Sequence, residues 1–85
     1  PFPNPFNPVT IIRYKLTEQA FVKVTIYDVL GKVINTLVNK YQNVGYKSVE
    51  WNGRDNKGKL VSAGAYLYSI EAGSFKEIKK MIFLQ

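Results

Sequence analysis

The chain has 85 residues, contains no cysteine and no histidine, and carries a formal net charge of +6. This length corresponds to one small domain, which buries too little surface to enclose a large internal cavity. Without cysteine and histidine, the chain lacks disulfides, thiol nucleophiles and the usual ligands of zinc and copper. We therefore expect no catalytic residues, no metal and no cofactor.

The positive charge is spread along the chain. Residues 1–42 carry five basic and two acidic side chains, and residues 43–85 carry seven and four. Because nucleic-acid-binding proteins gather basic side chains into a patch or stripe, we expect no nucleic-acid partner. No apolar run approaches the ~20 residues of a transmembrane helix. The absence of an initiating Met and of a signal peptide predicts that residue 1 is a boundary within a longer chain.

All four prolines lie in residues 1–8. Because proline fixes φ and lacks a backbone donor, this head cannot form a helix or a central strand. We predict a semi-rigid linker, with Phe2 and Phe6 as apolar side chains that dock on the domain. The predicted organisation is a proline-rich head at 1–8 and a single β domain at 9–85.

From Val9 onward the hydrophobic pattern has a period of two, which is typical of strands with one buried face. It predicts a first strand around 10–16, a second around 22–27 and a third over 32–38, with a turn at 28–31. Ile34 and Leu37 are three residues apart, so one of them would face outward in a regular strand. Their spacing predicts a bulge or bend in the third strand.

The second half is predicted to continue as short strands between turns. Residues 39–45 are predicted to be a polar turn, followed by a fourth strand at 46–51 and turns at 52–53 and 55–58. A short fifth strand is predicted at 59–61, a sixth from Gly64 and a seventh at 75–84. Seven antiparallel strands and no helix predict an all-β sandwich of the immunoglobulin-like or fibronectin-III-like class.

The acidic and aromatic residues have structural interpretations. Asp28 and Asp55 fall in predicted turns, and Glu50, Glu71 and Glu77 fall on predicted outward phases, so no carboxylate pair is expected to flank a cleft. The aromatic side chains Tyr14, Trp51, Tyr66 and Tyr68 share the phase of the aliphatic core. Tyr66 lies where sandwich domains place a tyrosine corner. Carbohydrate binding by exposed aromatic rings remains an alternative.

The last predicted strand is apolar on both faces after Lys79-Lys80. Such a strand is either central in its sheet or an edge that meets a partner. In the second case we expect weak association between copies through sheet edges.

Five motifs in order resemble a known family. They are Pro3-Asn4-Pro5-Phe6-Asn7-Pro8, Ile26-Tyr27-Asp28-Val29-Leu30-Gly31, Trp51-Asn52-Gly53-Arg54-Asp55, Ser62-Ala63-Gly64-Ala65-Tyr66-Leu67-Tyr68 and Lys79-Lys80-Met81-Ile82-Phe83-Leu84. Together they resemble the C-terminal sorting domain of proteins exported by the type IX secretion system of Bacteroidetes-like bacteria. They also resemble the immunoglobulin-like domain of flagellar hook-capping proteins.

The resemblance implies a non-enzymatic, seven-stranded sandwich at the C-terminus of a secreted protein. It implies recognition by the outer-membrane translocation machinery, removal by a sortase-like peptidase, and a cargo domain upstream, with the protein secreted or held at the outer-membrane surface. The residues that match the family's sorting motifs are Gly64, Tyr66, Tyr68, Lys79, Lys80, Met81, Ile82, Phe83 and Leu84. The family often ends in a basic residue, whereas this chain ends in Gln85.

Two other functions remain open from the sequence. One is a passive module that binds carbohydrate or protein and is attached to an extracellular enzyme. The other is a structural subunit whose copies join through their sheet edges.

Overall fold

A computed structural model describes residues 9–84 of the chain. The predictions for the head at 1–8, including the docking of Phe2 and Phe6, lie outside the described residues, as does Gln85. The six strands are β1 Thr10–Leu16, β2 Ala20–Asp28, β3 Val33–Gln42, β4 Gly45–Trp51, β5 Gly64–Ala72 and β6 Phe75–Phe83. No helix in this described part is long and apolar enough to cross a membrane.

The strands form a sandwich of two antiparallel sheets. β1 pairs with β4 in a two-stranded sheet, and the other sheet has the order β3-β2-β5-β6. Among residues 9–84, the core between the sheets contains ten buried hydrophobic side chains, which are Ile12, Leu16, Val22, Val24, Ile26, Val38, Trp51, Tyr66, Ile70 and Phe83. The all-β prediction is therefore confirmed, and the predicted inward phases of the first two strands are confirmed with it.

The predicted irregularity of the third strand is confirmed. In the pairing of β2 with β3, the register shifts twice, between Val24 and Thr25 and between Ile26 and Tyr27. The β3 residues skipped by these shifts are Leu37 and Ile34. Both side chains pack partly buried against the core. The two bulges thus resolve the conflict between a three-residue apolar spacing and the two-residue period of a strand.

The prediction of a polar turn over residues 39–45 was wrong. β3 continues to Gln42, where it pairs with Ala20, and only Asn43 and Val44 connect it to β4. β3 is the outer strand of its sheet, so most side chains at this end are exposed and polar residues are tolerated there. The polar side chains of this segment therefore indicate an edge strand. The backbone of an edge strand pairs with a neighbour on one side, even when its side chains are exposed to solvent.

The prediction of a short fifth strand at 59–61 was also wrong. The described residues therefore contain six strands, where the sequence predicted seven. Leu60 forms only an isolated bridge with Arg54. The Val61 N–H donates to the Gly53 carbonyl at 2.8 Å, so this segment folds back on residues 53–55 and joins neither sheet.

The last strand lies at the edge of its sheet and is not a central strand, the other position that the sequence allowed. β6 pairs with β5 from Gly64↔Phe83 to Ala72↔Phe75 and ends the four-stranded sheet. Glu77 is opposite the buried Ile70, so it lies on the inward phase, contrary to the prediction. Its side chain is 42% exposed there.

Candidate recognition surface at the β6 edge

The sorting candidates Tyr66 and Phe83 meet Trp51 in one aromatic cluster. The ring centroid of Trp51 lies 5.3 Å from that of Tyr66 and 5.0 Å from that of Phe83. Trp51 is fully buried in the same core as Val24 and Ile26, as predicted. Aromatic pairs in edge or tilted contact add to the stability gained from burial, so this cluster fixes the end of β6 on the sandwich.

Polar atoms of the cluster are hydrogen-bonded to a neighbouring loop. The Tyr66 hydroxyl donates to the Ser62 carbonyl at 2.6 Å, which is the geometry of the predicted tyrosine corner. The Trp51 Nε1–H donates to the Arg54 carbonyl at 2.9 Å, and the Asn35 side chain donates to the same carbonyl. Both rings are therefore buried without an unpaired donor.

Gly53 lies directly against the ring of Phe83. It has φ +74, and a Cβ added there would lie 2.0 Å from Phe83 Cζ. The Asn52-Gly53 dipeptide was identified from the sequence only as a turn. The turn interpretation accounts for the positive φ, but the missing side chain also makes room for a ring from a strand 30 residues later in the sequence.

The other terminal candidates are distributed over both faces of β6. Lys79 and Met81 share the inward phase with Phe83, and Lys80 and Ile82 have the outward phase. Ile82 is 58% exposed and Leu84, just after the strand, is 70% exposed. Lys79 Nζ lies 3.7 Å from a carboxylate oxygen of Glu77, and both side chains are solvated. This pair contributes little stability.

The remaining candidates, Gly64 and Tyr68, support β6 from β5. Gly64 is opposite Phe83 in register, and Tyr68 is opposite Lys79. Tyr68 packs partly buried against the core. The structure therefore brings Gly64, Tyr66 and Phe83 together at one end of the sheet, while Lys80, Ile82 and Leu84 present exposed side chains along its edge.

The two aspartates proposed for turns adopt the same local structure. Asp28 Oδ1 accepts from the N–H groups of Leu30 and Lys32, each at 2.9 Å. Asp55 Oδ1 accepts from the N–H groups of Lys57 and Lys59 at the same distance. Hydrogen bonds from backbone groups, chiefly that of Lys59, lower the pKa of Asp55.

Asp28 and Asp55 do not lie in a cluster of potential metal ligands within residues 9–84. In the part of the chain that the structure describes, no group of three or more acidic residues is placed to hold a metal ion. The exposed aromatic pair Phe21 and Tyr41 meets edge-on, with the ring planes at 83°. Because Trp51 is buried and the rings of Phe21 and Tyr41 are not coplanar, these three residues do not form the flat platform expected of a carbohydrate-binding module.

A groove of about 350 Å³ lies between the sheets on the side opposite β4. Its floor includes Leu16, Ile70 and Ala72, and Phe75 of β6 contributes to its wall. Tyr14 also lines the groove and donates from its hydroxyl to Gln42 Oε1 at 2.7 Å. Burial raises the pKa of this phenol, and the hydrogen bond opposes the rise. Sequence reasoning did not identify the groove.

Comparison with known proteins agrees with this architecture. The sequence model of the FlgD Ig-like domain matches residues 8–75. A crystal structure of FlgD from P. aeruginosa superposes with a TM-score of 0.69 and 22% sequence identity, covering 88% of this chain and 58% of that one. The chain thus spans somewhat more than half the length of FlgD, and the likeness shows an immunoglobulin-like fold. No curated protein sequence matches the chain. Since the family model covers most of the chain, the protein belongs to the FlgD Ig-like domain family.

Proposed function

We propose that the chain is a non-catalytic sorting and anchoring module at the C-terminus of a larger secreted protein, recognised by a type IX export machinery. The observation that carries the proposal is the β6 edge, where exposed apolar side chains lie on both faces of a strand whose end is held in the core. The match to the FlgD Ig-like domain ends at residue 75. The terminal motif at 79–84 therefore lies outside the matched region.

The physical basis of recognition is strand addition. An edge strand offers unpaired backbone groups, and a receptor strand that pairs with them gains hydrogen bonds along its length. Ile78 and Ile82 are both more than half exposed on the outward phase, so they offer apolar contacts to a partner that extends over this face. The buried Phe83 fixes the register, since a slip by one residue would move it to the outer face.

The partners follow from the same proposal. They are the outer-membrane translocation machinery, a sortase-like peptidase and a cargo domain upstream of the sandwich. The cargo would be secreted or displayed at the outer-membrane surface.

A transport assay in a bacterium with a type IX system tests the proposal. A secreted reporter is fused to residues 1–85 and compared with a fusion that lacks 79–85. We expect the truncated fusion to stay in the periplasm and the complete one to reach the surface or medium. Because the truncation also removes Phe83, a variant that keeps the core is needed.

That variant is Ile82→Ser/Leu84→Ser, which changes only exposed side chains. The matched control is Val44→Ser/Tyr46→Ser, where the side chains are similarly exposed but lie away from β6. We expect the first pair to reduce export while thermal unfolding is unchanged, and the control to export normally. Normal export of both the truncated fusion and the Ile82/Leu84 variant would contradict the proposal.

A structural role is the second candidate, and the same β6 edge favours it. Two copies of the domain would pair weakly through their open edges. Sedimentation of the isolated domain up to millimolar concentration tests this, because a monomer throughout would contradict it.

A further inference from the structure

The outer face of the four-stranded sheet carries apolar side chains that point away from the core. An antiparallel sheet that packs one face on a core is expected to have polar side chains on the other face. On this outer face, Ala65 is instead opposite Ile82, and Ser69 is opposite Ile78. Ile78 and Ile82 are both more than half exposed. We define the outer patch as the apolar side chains that surround Lys80 on this face, namely Tyr27, Ala65, Leu67, Ile78 and Ile82.

The centre of the outer face is closed to solvent by the face's own side chains. Thr25 and Ser69 are opposite each other in register, and both are buried although they point away from the core. The Ser69 hydroxyl donates to the Tyr27 hydroxyl at 3.3 Å, so the Tyr27 ring extends from β2 towards β5. Because these side chains are already held in place, a molecule that packs on them loses little side-chain entropy.

A row of charged side chains limits the outer patch to one half of the face. Lys23, Glu71 and Lys76 are neighbours in register across β2, β5 and β6. The outer patch covers these three strands over three side-chain rows, an area of about 10 Å by 14 Å. One α-helix covers such an area with two to three of its turns. A second sheet would also cover the charged row, and burying those charges is costly.

Lys80 determines which charge the molecule on the outer patch must carry. It is opposite Leu67 in register, and Ile78 and Ile82 are its neighbours on the same face. Within residues 9–84 the one ion pair joins Lys79 to Glu77, so Lys80 has no carboxylate partner there. A molecule that covers Lys80 has to supply a carboxylate, because an unpaired buried charge is costly. Two copies of this chain that met patch to patch would bury two lysines and no carboxylate.

We infer that the outer patch is a docking site for an acidic amphipathic helix of a partner protein. The apolar stripe of the helix lies over Ile78 and Ile82, and an aspartate or glutamate beside the stripe pairs with Lys80. Helices bound in this way present apolar residues at positions i, i+3, i+4 and i+7. The inference does not depend on the proposed export function, because the helix covers the face of the sheet whereas strand addition uses the backbone at its edge.

Selection of binders from a displayed library of helical peptides, each about five turns long, tests the inference on the chain 1–85. The selected peptides should combine an apolar stripe with an adjacent aspartate or glutamate. They should also shift the methyl NMR signals of Leu67, Ile78 and Ile82. A selection without binders, or binders that lack a carboxylate or leave these three signals unchanged, would overturn the inference.

Variants of the lysines separate a specific ion pair from general attraction by positive charge. Lys80→Ala should weaken binding of a selected peptide by about tenfold or more. The matched control is Lys76→Ala, which removes a lysine of the same face from the charged row and should change the affinity less than about twofold. Lys80→Glu should abolish binding, and a peptide with lysine in place of its carboxylate should restore it. Equal effects of Lys80→Ala and Lys76→Ala would contradict the assigned pairing.

Variants of the apolar side chains locate the site on the face. Ile78→Ser should abolish binding, whereas Tyr41→Ser should not change it, because Tyr41 is exposed on the same face beyond the charged row. Thermal unfolding confirms that each variant is folded. Vesicles of phosphatidylcholine with phosphatidylglycerol serve as a second probe, and binding to them that depends on Ile78 and Lys80 without any helical binder would assign the patch to a lipid surface and overturn the inference. These measurements use purified protein, so failure of the transport assay would not affect them.

Discussion

Substitution of Gly53 by alanine tests the contact that holds the end of β6. The new methyl group would lie 2.0 Å from Phe83 Cζ, and 2.5 and 2.8 Å from two further ring atoms. Because Phe83 is held between Trp51, Tyr66 and this glycine, its ring cannot move away without disturbing the aromatic cluster. Alanine at φ +74 also costs about 1–2 kcal/mol through backbone strain.

Displacement of the ring adds the cost of overpacking, about 1–3 kcal/mol. We therefore expect Gly53→Ala to lower the free energy of unfolding by about 2–5 kcal/mol. Gly58→Ala is the matched control, since Gly58 has φ +84 and nothing lies within 4 Å of an added Cβ. It should show the backbone cost alone.

Urea unfolding followed by the fluorescence of Trp51, the single tryptophan, gives both values. A double-mutant cycle with Phe83→Ala isolates the clash, because Gly53→Ala should cost less once the ring is absent. If Gly53→Ala and Gly58→Ala lower stability equally, and the cycle shows no coupling, then Phe83 does not rest on Gly53 and the account of the β6 anchor is wrong.

Three further predictions concern stability and are measured by urea unfolding. Tyr66→Phe should cost about 1–2 kcal/mol, because it leaves the Ser62 carbonyl without its donor; an unchanged midpoint would contradict the tyrosine corner. Thr25→Val should stabilise by about 1 kcal/mol, because the buried Thr25 Oγ1 has no hydrogen-bond partner among the described residues; destabilisation would show that this oxygen is satisfied. Asp55→Ala should destabilise at pH 7, and the difference from the unchanged chain should shrink as the pH falls below about 4, since a lowered pKa stabilises the fold only while the carboxylate is ionised. A difference that is constant from pH 7 to pH 2 would contradict that role.

The sequence predicted those parts of the fold that depend on local pattern. Alternation in residues 10–16 and 22–27 indicated the buried faces, and the spacing of Ile34 and Leu37 indicated the bulges. The position of Tyr66 at the start of its strand indicated the tyrosine corner. In each case the side chains that determine the local structure are close in sequence, so their spacing is sufficient to predict it.

The parts that the sequence did not predict depend on tertiary context. Asn39 and Lys40 look like turn residues until β3 is known to be an outer strand, because polarity cannot distinguish a loop from an exposed edge. The residues at 59–61 have strand-like composition, but their hydrogen bonds go to residues 53–55. At the candidate site, the motifs identified the terminal residues. Only the sheet order shows that Ile82 is exposed while Phe83 is buried.

The two edges of the four-stranded sheet are closed to different degrees. On the β3 side, the Asn56 N–H donates to the Ile34 carbonyl and Asn56 Oδ1 accepts from the Thr36 N–H, so this loop residue occupies positions that another strand would need. Head-to-tail stacking, β6 of one molecule on β3 of the next, is therefore obstructed. Copies that associate through this sheet would pair β6 with β6 about a two-fold axis, and that arrangement closes at a dimer. An exposed apolar strand thus need not lead to fibres, because Asn56 already occupies part of the opposite edge.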